Sequence, residues 1–384
     1  MRDRTIRFFG LIIVWIVGGS FFPKDASSLP QFPVRFGSKI YEDHAHEEEG
    51  KTMDCRACHI NPTGGGMRNQ HGQQFAIQSL PMQEPTEEYK GLIESARITP
   101  FLSIGTDLRF AYLHAQKEST SAYRDSFFPM QGDLYVTFTP ARHLIVYYQD
   151  GLQQNREVFG IVHGLPANTH VKLGKFLPPY GLKLDDHTSF IREKLGFGNV
   201  FGRESESGIE AGFADELWFG NAAFFNGSGV APDDNRAKGF SATAGAKTPG
   251  FWLAGSYYHN KTGRETADAV TREYMGIYTA MSFRWLAFLG EWDRISSENP
   301  LTEHNGDAIY TELLATLSRG IVAKVKYDDY DPDWDASGDH LQRITFGVDL
   351  YPYPFTEILI QYRKNIEEID VKNDQFLVMT HLFF

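Results

Sequence analysis

Residues 342–363 read QRITFGVDLYPYPFTEILIQYR, and they decide the fold. In the first half Ile344, Phe346, Val348 and Leu350 oppose Arg343, Thr345 and Asp349. In the second Ile358, Ile360 and Tyr362 oppose Glu357, Gln361 and Arg363. Successive side chains of a strand point to opposite faces, so each half reads as a strand with one apolar and one polar face. Tyr351-Pro352-Tyr353-Pro354 between them reads as a tight turn.

The same unit recurs on both sides. Ile321, Ala323, Val325 and Tyr327 oppose Lys324, Lys326 and Asp328; Leu102, Ile104, Leu108 and Phe110 oppose Ser103, Asp107 and Arg109. From Phe101 to Phe384 the pattern is β throughout, and its connections alternate in length. Short ones include Thr139-Pro140-Ala141-Arg142, Ala214-Asp215, Thr248-Pro249-Gly250 and Ser318-Arg319-Gly320. Long polar ones fall at residues 116–125, 182–204, 227–237, 261–272, 296–305, 329–339 and 364–374. Segments of about ten residues joined by alternating tight turns and long loops are the signature of outer-membrane barrels. The expected fold is therefore all-β, an antiparallel outer-membrane β-barrel of about 16 strands over residues 98–384. Phe376, Val378, Thr380, Leu382 and Phe384 share one parity, and this aromatic end resembles the C-terminal signal read by the outer-membrane assembly machinery.

Composition agrees. Aromatic residues at 14% exclude low-complexity disorder. Repeated apolar runs of about 20 residues, which a helical membrane protein needs, are missing from the sequence. A net charge of -12 argues against nucleic acid as a partner. Residues 1–26 carry Arg2, Arg4 and Arg7 before the apolar stretch FFGLIIVWI at 8–16, which predicts a signal peptide and export. A polar connector with His44 and His46 follows.

The only cysteines stand in Cys55-Arg56-Ala57-Cys58-His59. In an exported protein the pattern C-x-x-C-H reads as covalent attachment of one haem c. Two thiols at this spacing can add to the two vinyl groups of one porphyrin, and the adjacent His59 can reach the iron as proximal ligand. Three other readings stay open. A redox dithiol wants a thioredoxin-like context, zinc would need His44, His46 or His71 to complete the set, and a simple disulfide is compatible with export. Ile60-Asn61-Pro62-Thr63 predicts a turn, Gly64-Gly65-Gly66 positive φ or close backbone approach, and residues 67–80 a helix that Gly72 weakens. His71 and Met67 are the candidates for a distal iron ligand, with His44 and His46 as others, and a five-coordinate iron is also open. Residues 27–97 are thus expected to be a small monohaem cytochrome c-like domain.

The signal peptide, the single C-x-x-C-H and a barrel ending in Phe together resemble the fused monohaem cytochrome–porin family. Members known from iron-oxidising bacteria carry electrons across the outer membrane. The resemblance implies Cys55 and Cys58 as haem attachment points and His59 as axial ligand. It implies as partners a periplasmic electron carrier, an extracellular donor or acceptor such as iron, and outer-membrane lipid. The haem segment would be periplasmic or within the barrel lumen, and the protein an electron-transfer protein rather than a substrate-transforming enzyme. The alternative is a diffusion porin whose haem-bearing segment acts as gate or sensor. Residues 175–182 (KFLPPYGL) also resemble a segment of anion-selective porins.

Overall fold

The computed structural model describes residues 55–83, 86, 97–116, 125–152, 156–198, 205–229, 233, 235–263, 269–368 and 372–384. The expected signal peptide, His44 and His46 lie outside the described residues. The strands are β1 (Arg97–Thr99), β2 (Leu102–Ala115), β3 (Ser126–Ala141), β4 (Leu144–Gly151), β5 (Arg156–Leu165), β6 (Thr169–Phe176), β7 (Glu206–Ala214), β8 (Trp218–Phe225), β9 (Gly239–Thr248), β10 (Phe251–Thr262), β11 (Val270–Phe283), β12 (Leu286–Glu298), β13 (Glu303–Ser318), β14 (Ile321–Asp331), β15 (Leu341–Leu350), β16 (Thr356–Glu367) and β17 (Gln375–Phe383). From β2 to β17 each strand pairs antiparallel with the next. The ring closes where β17 pairs with β2, from Gln375 opposite Ala115 to Phe383 opposite Asp107. The result is a closed 16-stranded barrel, as expected; the short β1 adds only a hairpin to β2.

Its polarity is inverted relative to a soluble protein. On β14 Lys326 is 2% and Asp328 0% exposed, while Val325 is 44% exposed. On β15 Arg343 is buried and Phe346 is 53% exposed. Charged groups face the lumen, and large apolar groups line the outer wall on strand after strand. Water would penalise that outer face, whereas lipid solvates it. Among the described residues no helix is long and apolar enough to cross a membrane. The closed ring and its outward apolar face make the strands the crossing elements.

Three expectations need correction. The strands run beyond ten residues, up to 16 in β3 and β13. The expected long loop at 296–305 is mostly ladder, with Glu298 opposite Glu303. The connection after β6 reads as an outer loop, yet residues 177–198 fold into the lumen and include a short helix, α2 (Phe190–Glu193). The reason lies in the wall. Tyr180 donates to Asp293 at 2.7 Å, and the Leu182 amide donates to Glu291 at 2.6 Å. Lys326 pairs with Asp186, Arg343 donates to the Thr188 carbonyl at 2.5 Å, and the Phe190 amide donates to Asp328 at 2.8 Å. Charged groups on the inward faces of the strands are the docking points of this segment.

Candidate functional site

The C-x-x-C-H motif folds as one compact unit with the helix that follows it. Cys55–Ala57 is a single 3-10 turn, and the amides of Cys58 and His59 both donate to the Cys55 carbonyl, at 3.2 and 2.9 Å. The backbone then doubles back, with the Ile60 amide donating to the Met67 carbonyl at 3.1 Å. Gly64, Gly65 and Gly66 make the reversal at φ of 84, 75 and 63°, a conformation that favours glycine. Helix α1 (Gln70–Gln78) starts three residues later than the sequence suggests, so Met67 stands outside it. Asn69 sets the start. Its Oδ1 accepts from the Gly72 amide at 2.9 Å, while its Nδ2 donates to the carbonyls of Arg56 and Ala57 at 2.9 and 3.3 Å. Gly72 has a packing reason, because a Cβ there would come within 2.2 Å of the Cys58 carbonyl oxygen.

This unit is tied to the short-turn end of the barrel. Arg56 donates to the carbonyls of Asn168, in the β5–β6 turn, and Ala214, at the end of β7, at 2.8 and 3.2 Å. Arg319, in the β13–β14 turn, donates to Pro81 and Gln78 at 2.7 and 2.8 Å. The Met82 amide donates to the Tyr351 carbonyl at 2.7 Å. Deeper in, Lys172 donates to Asn61 at 3.1 Å, and the Met67 amide to the Tyr147 hydroxyl at 3.3 Å.

Cys55, Cys58 and His59 border one cavity, with Phe75 and Leu80 from the motif unit and Tyr351 and Phe383 from the wall. The inward segment closes it with Lys183, Asp185 and His187. The segment comes close to the motif, since a Cβ on Gly65 would lie 2.9 Å from Lys183 Cε. Burial first, then the Arg68 and Lys183 charges, push the His59 imidazole down to about 3, so it is neutral with a lone pair to give. Its Nδ1 has no hydrogen-bond partner among the described residues. Burial pushes the Cys58 thiol up to about 12, which is unlike the low-pKa thiolate of a redox dithiol.

The two distal-ligand candidates lie elsewhere. Met67 is buried among Tyr135, Tyr147 and Phe159, and His71 is buried on α1; neither borders the cavity. Two histidines that the motif reading missed do border it, His187 and His381. No local pattern marks either one; only the inward fold of residues 177–198 and the parity of β17 bring them there. The one group of potential metal ligands among the described residues is Asp185, Glu357 and His381. It does not include the cysteines, and it is already consumed by pairing. Arg109 holds Asp185 at 2.5 Å, while Glu357 and Asp107 hold the two ring nitrogens of His381 at 2.8 and 2.7 Å.

No family model and no curated relative matches the protein. Solved structures do. The protein is similar to in-vitro folded OmpT of Vibrio cholerae in its trimer form, at 10% identity and TM-score 0.54, over 74% of this chain and 99% of that one. It is similar to Salmonella typhi OmpF in complex with daunomycin, at 11% identity and TM-score 0.55, over 74% and 97%. It is also similar to an anion-selective porin from Comamonas acidovorans, at 12% identity and TM-score 0.53, over 74% and 99%. At these identities the likeness defines the fold, a barrel of the outer-membrane porin type.

Proposed function

We propose that this protein is an outer-membrane c-type cytochrome of the cytochrome–porin kind, passing electrons between a periplasmic carrier and a donor or acceptor outside the cell. One observation carries the reading: both cysteines and the neutral His59 border a single cavity inside a barrel. The residues present suit haem. The thiols stand at the attachment spacing, His59 can offer its lone pair to iron, and Phe75, Leu80, Tyr351 and Phe383 give the apolar surface that a porphyrin face needs. Arg68 and Lys183 border the same space and suit two propionates. Haem bound there would supply one-electron chemistry.

Short turns face the periplasm in such barrels, so the motif unit enters from the periplasmic side. The hydrocarbon core is about 30 Å thick. A carrier left outside the lumen would face that whole span, whereas one within it leaves a shorter step to each partner. A second cavity supports the runner-up, a diffusion porin gated by the motif unit. It lies along the inward segment and is bordered by Arg109, Arg192, Lys324 and Arg363.

Proteoliposomes with a reduced dye inside and a membrane-impermeant oxidant outside separate the two. We expect dye oxidation in wild type, its loss in His59→Ala, and negligible sugar flux in both. Equal oxidation in His59→Ala, or sugar flux that matches dye oxidation, would establish the porin reading instead.

A further inference from the structure

We propose that Tyr180, on the inward β6–β7 connection, is a redox-active tyrosine at the head of a stack of rings that draws oxidising equivalents out of the haem cavity when peroxide reaches it. The inference rests on the haem reading above and goes beyond it, because it gives the inward segment a redox role of its own.

The stack begins at Phe197, which borders the same cavity as Cys55, Cys58 and His59. Tyr180 lies face to face on Phe197, with centroids 4.8 Å apart and planes 10° from parallel. Tyr258 and Tyr274 continue the run. They stand opposite each other on β10 and β11 and stack at 5.3 Å and 16°. Their centroids lie 6.3 and 6.2 Å from Tyr180, and 5.2 and 6.4 Å from Phe197. All of these separations are in the range of direct ring contact. Tyr258 stands four residues before the end of β10 and Tyr274 four after the start of β11, so the pair sits toward the long-loop end. Electron tunnelling falls steeply with distance, and such a run replaces one long step by several short ones.

A phenol gives up an electron readily only when its proton can leave too. The Tyr180 hydroxyl donates to Asp293 Oδ1 at 2.7 Å, and Asp293 is fully buried. The other oxygen of Asp293 has no hydrogen-bond partner among the described residues, so this carboxylate has unspent capacity for a proton. Tyr351 makes the contrast. It also borders the cavity, and its hydroxyl donates to Glu357 at 2.8 Å, but the second oxygen of Glu357 is already held by His381 at 2.8 Å.

The step balances as follows. Tyr180 loses one electron toward the cavity and its O–H proton passes to Asp293, leaving a neutral phenoxyl radical and a carboxylic acid. An electron drawn through Tyr258 and Tyr274 refills the radical, and the proton returns. Over a full turnover hydrogen peroxide takes two such electrons and two solvent protons, its O–O bond breaks, and two waters form; the reducing partner outside the cell supplies the electrons.

The cavity leaves room for peroxide. His187 spends its ring nitrogens on the Gly198 carbonyl at 2.8 Å and Gln131 Oε1 at 3.1 Å, and His381 on Glu357 and Asp107 at 2.8 and 2.7 Å. Met67 and His71 do not border the cavity. None of the four is placed to fill the second axial position of an iron there.

The test is electron paramagnetic resonance of the purified, detergent-solubilised full-length ferric protein, freeze-quenched after hydrogen peroxide is added. Wild type should show a tyrosyl radical that narrows when the tyrosine rings are deuterated. Tyr180→Phe should lose most of that signal, and its haem should bleach faster. Asp293→Asn keeps a hydrogen-bond acceptor but cannot take the proton, so it should lose the signal as well. Tyr351→Phe should keep it. Heat-dependent gel migration and an unchanged haem absorption spectrum check that each variant has folded. A wild type without a tyrosyl signal, or Tyr180→Phe or Asp293→Asn with the full signal, overturns this assignment alone. Protein that carries no covalent haem, shown by the pyridine haemochrome spectrum, overturns the parent reading and this one with it.

Discussion

Two segments fill the lumen, and they are held there in different ways. Residues 55–83 enter from the short-turn end and are built by their own contacts: the 3-10 turn at Cys55, the glycine reversal, and Asn69 clasping both the turn and α1. Residues 177–198 enter from the long-loop end and take most of their anchors from the wall, from Asp293, Glu291, Lys326, Arg343 and Asp328 on three different strands. The first would keep much of its shape on any platform. The second has contacts of its own, such as Arg192 on the Tyr180, Leu182 and Phe197 carbonyls, but it is held in place by the wall.

The largest expected effect removes the chemistry and leaves the barrel. Cys55→Ala with Cys58→Ala should abolish covalent haem, read as complete loss of haem staining on a denaturing gel. Heat-dependent migration should persist, because neither cysteine belongs to a strand. Loss of both would mean that the motif unit is needed for the wall to close.

How far the sequence can be read follows the same division. The wall is legible because every strand repeats one rule: Ile358, Ile360 and Tyr362 face outward while Glu357, Gln361 and Arg363 are buried. The motif is legible because its chemistry is packed into five consecutive residues. Helical spacing misplaces the start of α1 because Met67 is taken by pairing with Ile60, a contact that no periodicity reveals. Gly72 looks like a weakness because propensity ignores what lies 2.2 Å from an added Cβ. The inward segment is illegible because its partners are remote: Leu182 and Glu291 are separated by 109 positions, Thr188 and Arg343 by 155. Polar loops that stay in water and polar loops that dock on lumen charges have the same composition.

A second break targets the wall's hold on the inward segment. Lys326→Ala removes the partner of Asp186 in a nearly dry site. Breaking a buried pair costs about 3–5 kcal/mol, and the lower end applies because Arg343 and Arg363 still act on Asp186. The segment should loosen, and single-channel conductance in planar bilayers should rise above wild type. Unchanged conductance would show that the remaining anchors suffice.

The wall itself gives the next effect. Ile360 is an outward residue near the middle of β16. Ile360→Arg should cost about 2–4 kcal/mol in urea unfolding from lipid vesicles, the penalty for a cation on the lipid face near the midplane. Full tolerance would mean that this face meets water, and the membrane orientation of the barrel would have to be withdrawn.

The smallest effect tests whether the motif unit really is self-built. Asn69 has two jobs that two substitutions can separate. Asn69→Asp keeps an oxygen for the Gly72 amide, so the cap on α1 survives, but it cannot donate to the carbonyls of Arg56 and Ala57. Asn69→Ala loses both, and a lost cap alone costs about 1 kcal/mol. Hydrogen exchange on the detergent-solubilised protein should therefore rank the amides of α1 in the order wild type, Asp, Ala, from most to least protected. The amides of Cys58 and His59, which donate to the Cys55 carbonyl, should lose protection about equally in the two variants, because both lack the donor that clasps the turn. If Asp protected the turn as well as Asn does, the clasp would be incidental. The motif unit would then depend on its anchors at Arg319, Asn168 and Ala214, and the contrast between its own folding and that of the inward segment would fall away.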